Sequence, residues 1–256
     1  MELFQAIILG IVQGITEWLP ISSSGHLVLF QELFGFGANV AFDVILHVAT
    51  LLVILIVFWN DILAIIKSLL AWRWDENTKL LLFIILATIP TAIIGLLFQN
   101  WLLGLFTNMM LLGVFFIING IILLLTRFAK ANKELNWKHS IMMGIAQGLS
   151  IIPSLSRSGL TISTGMFFGV KKENLVKLSF LMAVPAILGA FVLEANEIVF
   201  ADIGAMIAGS IAALIVGYFA LRLTIRTVEK GKWHYFAYYC LALGILITAL
   251  YYLARI

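Results

Sequence analysis

Apolar residues run almost without interruption through most of this 256-residue sequence. Six of the runs are long enough to cross a bilayer core of about 30 Å as a single helix. The predicted crossings lie at about 40–58, 79–98, 108–127, 174–194, 200–222 and 234–254. Because the runs are continuous and do not alternate apolar with polar residues, they predict an all-α polytopic membrane protein and disfavour a β-barrel.

Two further regions, 2–35 and 138–170, are apolar at both ends and broken in the middle by a loop rich in Pro, Ser and Gly. Each half of each region is too short for an easy crossing. Non-helical backbone at membrane depth is tolerated only where protein or water satisfies its polar groups. We therefore predict two re-entrant helical hairpins whose polar tips reach inward.

The two broken regions are copies of each other at a constant offset of 134 residues. The matched pairs are Gly10 with Gly144, Gln13 with Gln147, Gly14 with Gly148, Ser22 with Ser156, Ser24 with Ser158 and Gly25 with Gly159. The repeat divides a single membrane domain, 1–256, into repeat one, 1–134, and repeat two, 135–256. Each repeat holds one hairpin and three crossings, and because three is odd the second copy should be inverted relative to the first. The polar tips should then meet near the membrane midplane, as in many transporters.

Composition supports a membrane protein: the chain is 62% hydrophobic and 11% charged, with a mean hydropathy of +1.09. A soluble domain carries about 25% charged residues. The single cysteine, Cys240, excludes an internal disulfide and a Cys-based metal cage, and it lies in an apolar run as a core- or lipid-facing residue. No cleavable signal peptide is evident, and nothing indicates nucleic acid binding.

The basic residues are distributed unevenly over the two predicted faces. If the chain starts on the outer side, the inner loops hold 14 of the 16 Lys and Arg residues. They are Lys67, Arg73, Lys79, Arg127, Lys130, Lys133, Lys138, Lys171, Lys172, Lys177, Arg222, Arg226, Lys230 and Lys232. The other two are Arg255 at the end of the chain and Arg157 in the second polar tip. The positive-inside rule thus places both termini outside. We also expect a plasma-membrane location, with the site open to the outer face.

An acidic side chain lies in the first hairpin. Glu17 stands among apolar neighbours, and Gln13 lies one helical turn before it on the same face. A carboxylate at membrane depth is costly and marks either a function or a buried partner. The alternative to a functional role is a salt bridge that holds the two tips together.

A cluster of hydroxyls follows Glu17. Ser22, Ser23 and Ser24 precede Gly25 and His26, so side-chain and backbone donors can be presented to an anion. One serine is expected to cap the helix that begins near His26, but capping does not need three. His26 can act as a general acid or base or as a nucleophile towards phosphorus.

The second tip gives the stronger indication of an anion-binding site. Arg157 is the one basic residue that the predicted topology places inside the membrane, and it is flanked by Ser156 and Ser158 at the start of a helix, with Thr161 one turn further on. A guanidinium there must find an anion, either Glu17 or a ligand. A bidentate fork, hydroxyl donors and a helix N-terminus together suit a phosphate group.

The remaining polar residues carry weaker signals. His47 lies in the first full crossing without a motif around it, and we interpret it as a hydrogen-bonding residue in helix packing. His139 and His234 lie at crossing ends and carry no predicted role. Pro90 and Pro185 fall in the middle of crossings and should kink their helices.

The two polar segments resemble the undecaprenyl pyrophosphate phosphatase family, which is linked to bacitracin resistance. Gln13-Gly-Ile-Thr-Glu17 resembles the family's (E/Q)xxxE motif, here with Gln first. Pro153-Ser-Leu-Ser-Arg-Ser-Gly-Leu-Thr161 resembles its PGxSRSxxT motif, with Ser154 where Gly is usual. The resemblance extends over the whole chain in length and order of segments.

The resemblance implies a membrane enzyme that removes the terminal phosphate of undecaprenyl pyrophosphate and so regenerates the lipid carrier for cell-wall polysaccharide synthesis. Family members look dependent on a divalent cation such as Mg²⁺ or Ca²⁺. Carried over by motif position, the catalytic residues are Glu17, Ser23, His26 and Arg157. The substrate-binding residues are Gln13, Ser22, Ser24, Ser156, Ser158 and Thr161. Glu17 with Gln13 is the expected cation site.

Several alternatives stay open. The attacking group is either Ser23, activated by His26 or Glu17, or a water activated by the same residues. A lipid-phosphate transporter or flippase would need the same midplane anion site but no general base, whereas one Arg is too little charge for an anion channel. The expected partners are a polyprenyl diphosphate, whose tail runs into lipid between crossings, and membrane lipids. A homodimer is one alternative for the assembly.

Overall fold

The computed structural model describes residues 2–36, 40–103, 105, 108–130, 132–194 and 202–254. Helices dominate these ranges. The α-helices are α1 Leu3–Trp18, α2 Ser23–Phe34, α3 Val40–Val57, α4 Trp59–Leu70, α5 Glu76–Leu103, α6 Met109–Leu125, α7 Trp137–Leu149, α8 Arg157–Phe167, α9 Lys172–Leu181, α10 Ala183–Glu194, α11 Ile203–Glu229 and α12 Phe236–Ala254. The predicted all-α polytopic membrane fold is confirmed.

Five stretches of the described chain are long and apolar enough to span a membrane. They are Glu76–Phe98, Met109–Phe128, Lys172–Glu194, Ile203–Glu229 and Trp233–Leu253. Each matches one of the predicted crossings, although α11 continues beyond the predicted end at 222. The remaining predicted crossing, 40–58, forms the 18-residue α3, which qualifies as a span only together with the bent continuation in α4.

The helix α4 was not predicted, because residues 59–70 were assigned to an inner loop. It bends away from α3 by 73° at Phe58. Ile62, Ile65 and Ile66 recur at helical spacing, and that periodicity was the signal in the sequence. Asp61 lies in its first turn and Lys67 in its last, where each complements the helix dipole.

Two helical hairpins form in the regions that were predicted to be re-entrant, while their re-entrance into the membrane stays a prediction. The first consists of α1 and α2, with 16 and 12 residues, and the second of α7 and α8, with 13 and 11 residues. A helix needs about 20 residues to cross the bilayer core. None of the four is long enough, and each pair turns back at a non-helical tip.

The two prolines in the crossings have different effects. Pro185 follows an interruption between α9 and α10, and the carbonyl that its ring excludes from hydrogen bonding is that of Leu181, the last residue of α9. The predicted distortion is therefore a break between two helices. Pro90 lies inside α5, which continues as one helix on both sides of it.

Each hairpin packs against the longest helix of the other half of the chain. The first helix, α1, lies along α11, α7 lies along α5, and α6 pairs with α12. Matched glycines make the closest approaches: a Cβ on Gly10 would lie 2.2 Å from the carbonyl oxygen of Gly209, and one on Gly144 would lie 2.2 Å from that of Ala87. Small residues of this kind let membrane helices approach closely. The contacts of the two halves are thus equivalent, while their inversion across the membrane stays a prediction.

Candidate active site

The two hairpin tips meet. The side chains of Ser156 and Ser158 reach the carbonyl of Leu19 at 3.4 Å and 3.3 Å. Asn119 of α6, fully buried, joins both tips: its Nδ2 donates to the carbonyl of Pro20 at 2.8 Å and its Oδ1 accepts from the backbone N–H of Ser156 at 3.2 Å. Asn119 was not singled out in the sequence, although an amide in an otherwise apolar crossing was an available signal.

The local sequence explains the shape of each tip. Ser22 caps α2 by accepting from the N–H of Gly25 at 3.2 Å, and Ser156 caps α8 by accepting from the N–H of Gly159 at 3.1 Å. The expectation that one of the three serines is a helix cap is confirmed, and its repeat partner does the same. Both side chains are nearly fully buried.

The carboxylate of Glu17 collects donors from four elements. Ser23 donates to its Oε2 over 2.7 Å and Gln13 over 3.1 Å, while Arg157 donates to its Oε1 over 2.5 Å. His47 Nε2 lies 3.5 Å from Oε2. Gln13 and Glu17 share a helix face as predicted, and of the two anions considered for Arg157, Glu17 or a ligand, Glu17 is its partner here. An ionised carboxylate accepts all of these contacts, so the donors stabilise its negative charge at a site that is almost closed to solvent.

His26 lies beside this group but is held by other partners. Its Nδ1 is 2.6 Å from the carbonyl of Ser22, and its Nε2 is 2.7 Å from the hydroxyl of Tyr239. A carbonyl only accepts, so Nδ1 carries a proton and a neutral ring accepts from Tyr239 at Nε2. The ring also stacks on Tyr239 with 5.7 Å between centroids. In this arrangement the hydroxyl of Ser23 is bonded to Glu17 and the ring of His26 is bonded to Tyr239.

His47, which was predicted only to form a hydrogen bond in helix packing, lies next to Glu17. Its Nδ1 donates to the carbonyl of Asp43 at 2.7 Å, which directs Nε2 towards Glu17. Asp43 is in turn fixed by two contacts from Gln31 Nε2, at 2.9 Å and 3.1 Å. Position 47 has no sequence motif, and only the fold brings it to Glu17.

Arg157 retains one free donor. Nη2 serves Glu17, but Nη1 is buried without a hydrogen-bond partner among the described residues. The guanidinium also lies over the ring of Trp18, 5.4 Å from its centroid. A buried, unpaired guanidinium N–H costs free energy that an anionic ligand would recover.

The remaining predicted ligands lie close by but have protein partners. Ser24 Oγ is 3.3 Å from Ser22 Oγ, and Ser158 Oγ is 3.2 Å from Ser156 Oγ. Thr161 is fully buried, donates to the carbonyl of Arg157 at 2.8 Å, and lies 2.6 Å from Ser179 Oγ. Their role as phosphate ligands stays a prediction.

Cys240, expected as a core- or lipid-facing residue, is a core residue. It is fully buried, and its Sγ accepts from Asn119 Nδ2 at 3.4 Å. It therefore supports the amide that joins the two tips.

One oxygen atom beside the Glu17 carboxylate is free to bind a divalent cation. The Oε1 atom of Gln13 is buried and has no partner in the described part of the chain, so an acceptor oxygen stands free beside the carboxylate. No group of three or more His, Cys, Asp or Glu side chains that could hold a metal ion occurs there. Mg²⁺ is commonly held by one or two carboxylates together with the substrate's phosphates, and this donor set fits that mode.

Fold and site together define a class: an integral membrane protein in which two hairpin tips meet around a buried pair of Glu17 and Arg157. A serine hydroxyl is hydrogen-bonded to the carboxylate of that pair. Residues 6–246 match the family model described as "Bacitracin resistance protein BacA".

Curated relatives agree over their full lengths. A protein of Carboxydothermus hydrogenoformans named "Undecaprenyl-diphosphatase" is 44% identical over 262 residues, with 98% of each chain covered. Proteins of the same name from Halothermothrix orenii and Bacteroides fragilis are 39% and 37% identical, covering 98% and 96% of this chain and 98% and 97% of their own. The chain belongs to this family, as its two motifs predicted.

Proposed function

We propose that this protein hydrolyses undecaprenyl diphosphate to undecaprenyl phosphate and inorganic phosphate, and so returns the lipid carrier to cell-wall polysaccharide synthesis. The observation that carries the proposal is the hydrogen bond from Ser23 to Glu17, with Arg157 on the same carboxylate. A carboxylate that can accept a proton, a serine hydroxyl and a guanidinium thus lie in direct contact. The shared name of the curated relatives supports the same activity.

Each residue has a role in this reaction. The free Nη1 of Arg157 binds the terminal phosphate and stabilises the charge on its oxygens, which is the main demand of phosphoryl transfer. Glu17 takes the proton of the attacking group, either the Ser23 hydroxyl or a water in its place. On the serine route undecaprenyl phosphate leaves first, and a water then hydrolyses the phosphoserine to inorganic phosphate. The unprotonated Nε2 of His26, which is oriented by Ser22 and Tyr239, can accept the proton of that water once it parts from the Tyr239 hydroxyl.

A divalent cation, Mg²⁺ or Ca²⁺, is part of the proposal. Glu17 and the free amide oxygen of Gln13 would hold it together with the diphosphate. When bound, it would offset negative charge on the diphosphate oxygens. The contacts of Arg157 and Ser23 with Glu17 do not depend on it.

The prenyl tail is proposed to lie in an apolar groove of 570 Å³ between α3, α4, α5 and α9–α10. Ile62 of α4, Ile85 of α5 and Val184 of α10 are among its walls. The helix α9 connects the groove to the site, since its Ser179 touches Thr161 and its Leu181 lines the groove. The variant Ile85→Trp should raise KM for undecaprenyl diphosphate and leave KM for farnesyl diphosphate unchanged. Ile207→Trp, a lipid-exposed position on α11, is the matched control.

The location is proposed as the plasma membrane, with both chain ends and the opening of the site on the outer face. The distribution of the 16 Lys and Arg residues supports this orientation. If the repeats are inverted, as proposed, the meeting point of the two tips lies near the membrane midplane. A homodimer stays open as the assembly.

A lipid-phosphate flippase is the second candidate, because a buried anion site between two repeats serves transport equally well. Transport does not require a hydroxyl paired with a carboxylate, and that pairing favours hydrolysis. Purified protein in detergent, where no gradient exists, should release inorganic phosphate from undecaprenyl diphosphate, and Glu17→Gln should not. Binding of the lipid diphosphate without phosphate release would reject the enzyme and leave the flippase.

A further inference from the structure

A second, smaller cavity lies at the ends of three membrane spans. It measures 150 Å³ and is formed where α6 ends, where α9 begins and where the turn that precedes α12 begins. Its walls include Arg127, Lys172, Gly231, Trp233 and His234. None of these residues belongs to the site around Glu17.

The polar walls of this cavity are basic. Arg127, Lys172 and His234 line it without an acidic side chain. No carboxylate of the described ranges lies within salt-bridge distance of Arg127 or Lys172. Lys172 Nζ has only a long contact of 3.4 Å to the backbone carbonyl of Glu229, and the guanidinium of Arg127 lies over the ring of Phe128.

Two acidic residues, Glu173 and Glu229, lie next to these positions in the sequence, and among the described residues neither forms a salt bridge with Arg127 or Lys172. Lys171, the neighbour of Lys172, is already paired with Glu134, and the hydrogen bond from Lys171 lowers the pKa of that carboxyl. The side chain of Lys172 remains directed to the cavity. A Cβ at Gly231, whose φ is +68°, would lie 3.1 Å from Lys172 Nζ, so glycine leaves room for the ammonium group.

The side chains around this cavity indicate that it lies near a membrane–water interface. The large apolar and aromatic side chains next to it, Leu125, Phe128 and Tyr235, are 49%, 70% and 54% exposed. Aromatic residues at span ends are typical of the membrane–water interface. The N-terminus of α9 also faces this region without a side-chain cap, and free helix N–H groups attract anions.

We propose that this cavity binds the phosphate group of an anionic phospholipid from the leaflet on that side. Pockets for drug-sized molecules measure about 300–1,000 Å³, so a cavity of 150 Å³ suits a single small group while the acyl chains stay in the bilayer. Basic pockets between membrane helices are a known form of lipid-headgroup site. The bound lipid joins the ends of α6, α9 and α12 to α8, whose Met166 also lines the cavity.

Thermal unfolding of the purified protein in neutral detergent tests the proposal. Dioleoylphosphatidylglycerol at about 100 times its dissociation constant should raise Tm by about 5 °C or more. Dioleoylphosphatidylcholine and inorganic phosphate should each raise it much less. An equal shift with phosphatidylcholine would refute an anionic site, and a full shift with inorganic phosphate would refute the lipid as its source.

Variants of the cavity residues test whether the Tm shift arises from lipid bound in this cavity. Arg127→Gln with Lys172→Gln should abolish the phosphatidylglycerol shift, whereas Lys67→Gln with Arg73→Gln removes the same charge from exposed positions outside the cavity and should keep it. If the first pair does not fold, Arg127→Gln alone, at an exposed side chain, should lose at least half of the shift. Native mass spectrometry should show one phosphatidylglycerol fewer on the cavity variants than on the control. An unchanged shift and an unchanged lipid count in the cavity variants would overturn the proposal.

Discussion

Arg157 Nη2 donates to Glu17 Oε1 over 2.5 Å, although the two residues are 140 positions apart in the chain. One comes from each hairpin, so the site exists only when both tips are in place. The bridge stabilises two charges that would each be costly alone at this depth. It leaves Nη1 free, and a phosphate can therefore bind without breaking the pair.

Arg157→Lys should lose most activity. An ammonium can pair with Glu17, but it cannot also present a second, coplanar N–H to the phosphate. We expect kcat to fall by about 100-fold or more, which corresponds to ~2.7 kcal/mol of transition-state stabilisation. The measurement is phosphate release by folded, purified protein, with the exposed Arg222→Lys as control. Near-normal turnover would remove Arg157 from the catalytic residues.

His47→Ala should lower kcat as well. Its Nε2 lies 3.5 Å from Glu17 Oε2, within salt-bridge distance, and this contact helps to hold the carboxylate in place. If the contact orders the carboxylate for catalysis, the loss should be about 10–100-fold. His139→Ala, at the start of α7 and away from Glu17, serves as the matched control. Equal activity of the two variants would show that His47 only packs.

Covalent attack by Ser23 and attack by an activated water predict different activities for a variant without the Ser23 hydroxyl. We expect covalent attack, because a fixed hydroxyl already donates to Glu17 at 2.7 Å and needs no ordered water. Ser23→Ala should then abolish single-turnover hydrolysis, and quenched wild-type enzyme should carry a phosphoserine detectable by mass spectrometry. Ser150→Ala, which removes a hydroxyl bonded to the carbonyl of Gln147, is the control. A tenth of the wild-type rate in Ser23→Ala, without phosphoenzyme, would favour activated water.

Ser154→Gly should stabilise the protein. Ser154 has a φ of +65°, a left-handed conformation that costs a side chain about 1–2 kcal/mol, and its buried hydroxyl has no partner among the described residues. After the entropy cost of glycine we expect a gain of about 1 kcal/mol and a Tm rise of about 2–4 °C. Ser154→Ala removes only the hydroxyl and should gain less. A lower Tm for Ser154→Gly would contradict this account of strain.

The proposed orientation predicts which loops face the cell exterior. In a background with Cys240→Ala, single cysteines at Asn132→Cys and Lys230→Cys should be protected from impermeant thiol reagents in intact cells. Glu197→Cys should be labelled. Labelling of Asn132→Cys together with protection of Glu197→Cys would reverse the orientation.

The sequence predicted those parts of the fold that depend on local pattern. Continuous apolar runs located the crossings, and the repeated polar loops located the hairpins and both motifs. The helix α4 was missed because its 12 residues are too few for a crossing and were read as loop. Its short amphipathic face was nonetheless visible in the spacing of Ile62, Ile65 and Ile66.

The side-chain partners at the site could be predicted only in part. Gln13 with Glu17 follows from helical spacing, and Arg157 with Glu17 from the need of a buried charge for a partner. Asn119, His47 and Tyr239 reach the tips from other helices, and no local sequence pattern predicts such contacts. The partner of Ser23 was left open between two residues because the turn geometry decides it.

The close contacts of α1 with α11 have a consequence for biosynthesis. Helix α1 ends at Trp18, and α11 begins at Ile203. At about 5–20 residues per second, the ribosome completes the second helix on the order of ten seconds or more after the first. During that interval Gly10 and Gly14 lack the α11 surface on which they pack, and for about the first two thirds of it the tip that carries Glu17 also lacks Arg157. The first hairpin is therefore synthesised well before the helix that completes its packing and the guanidinium that completes its site.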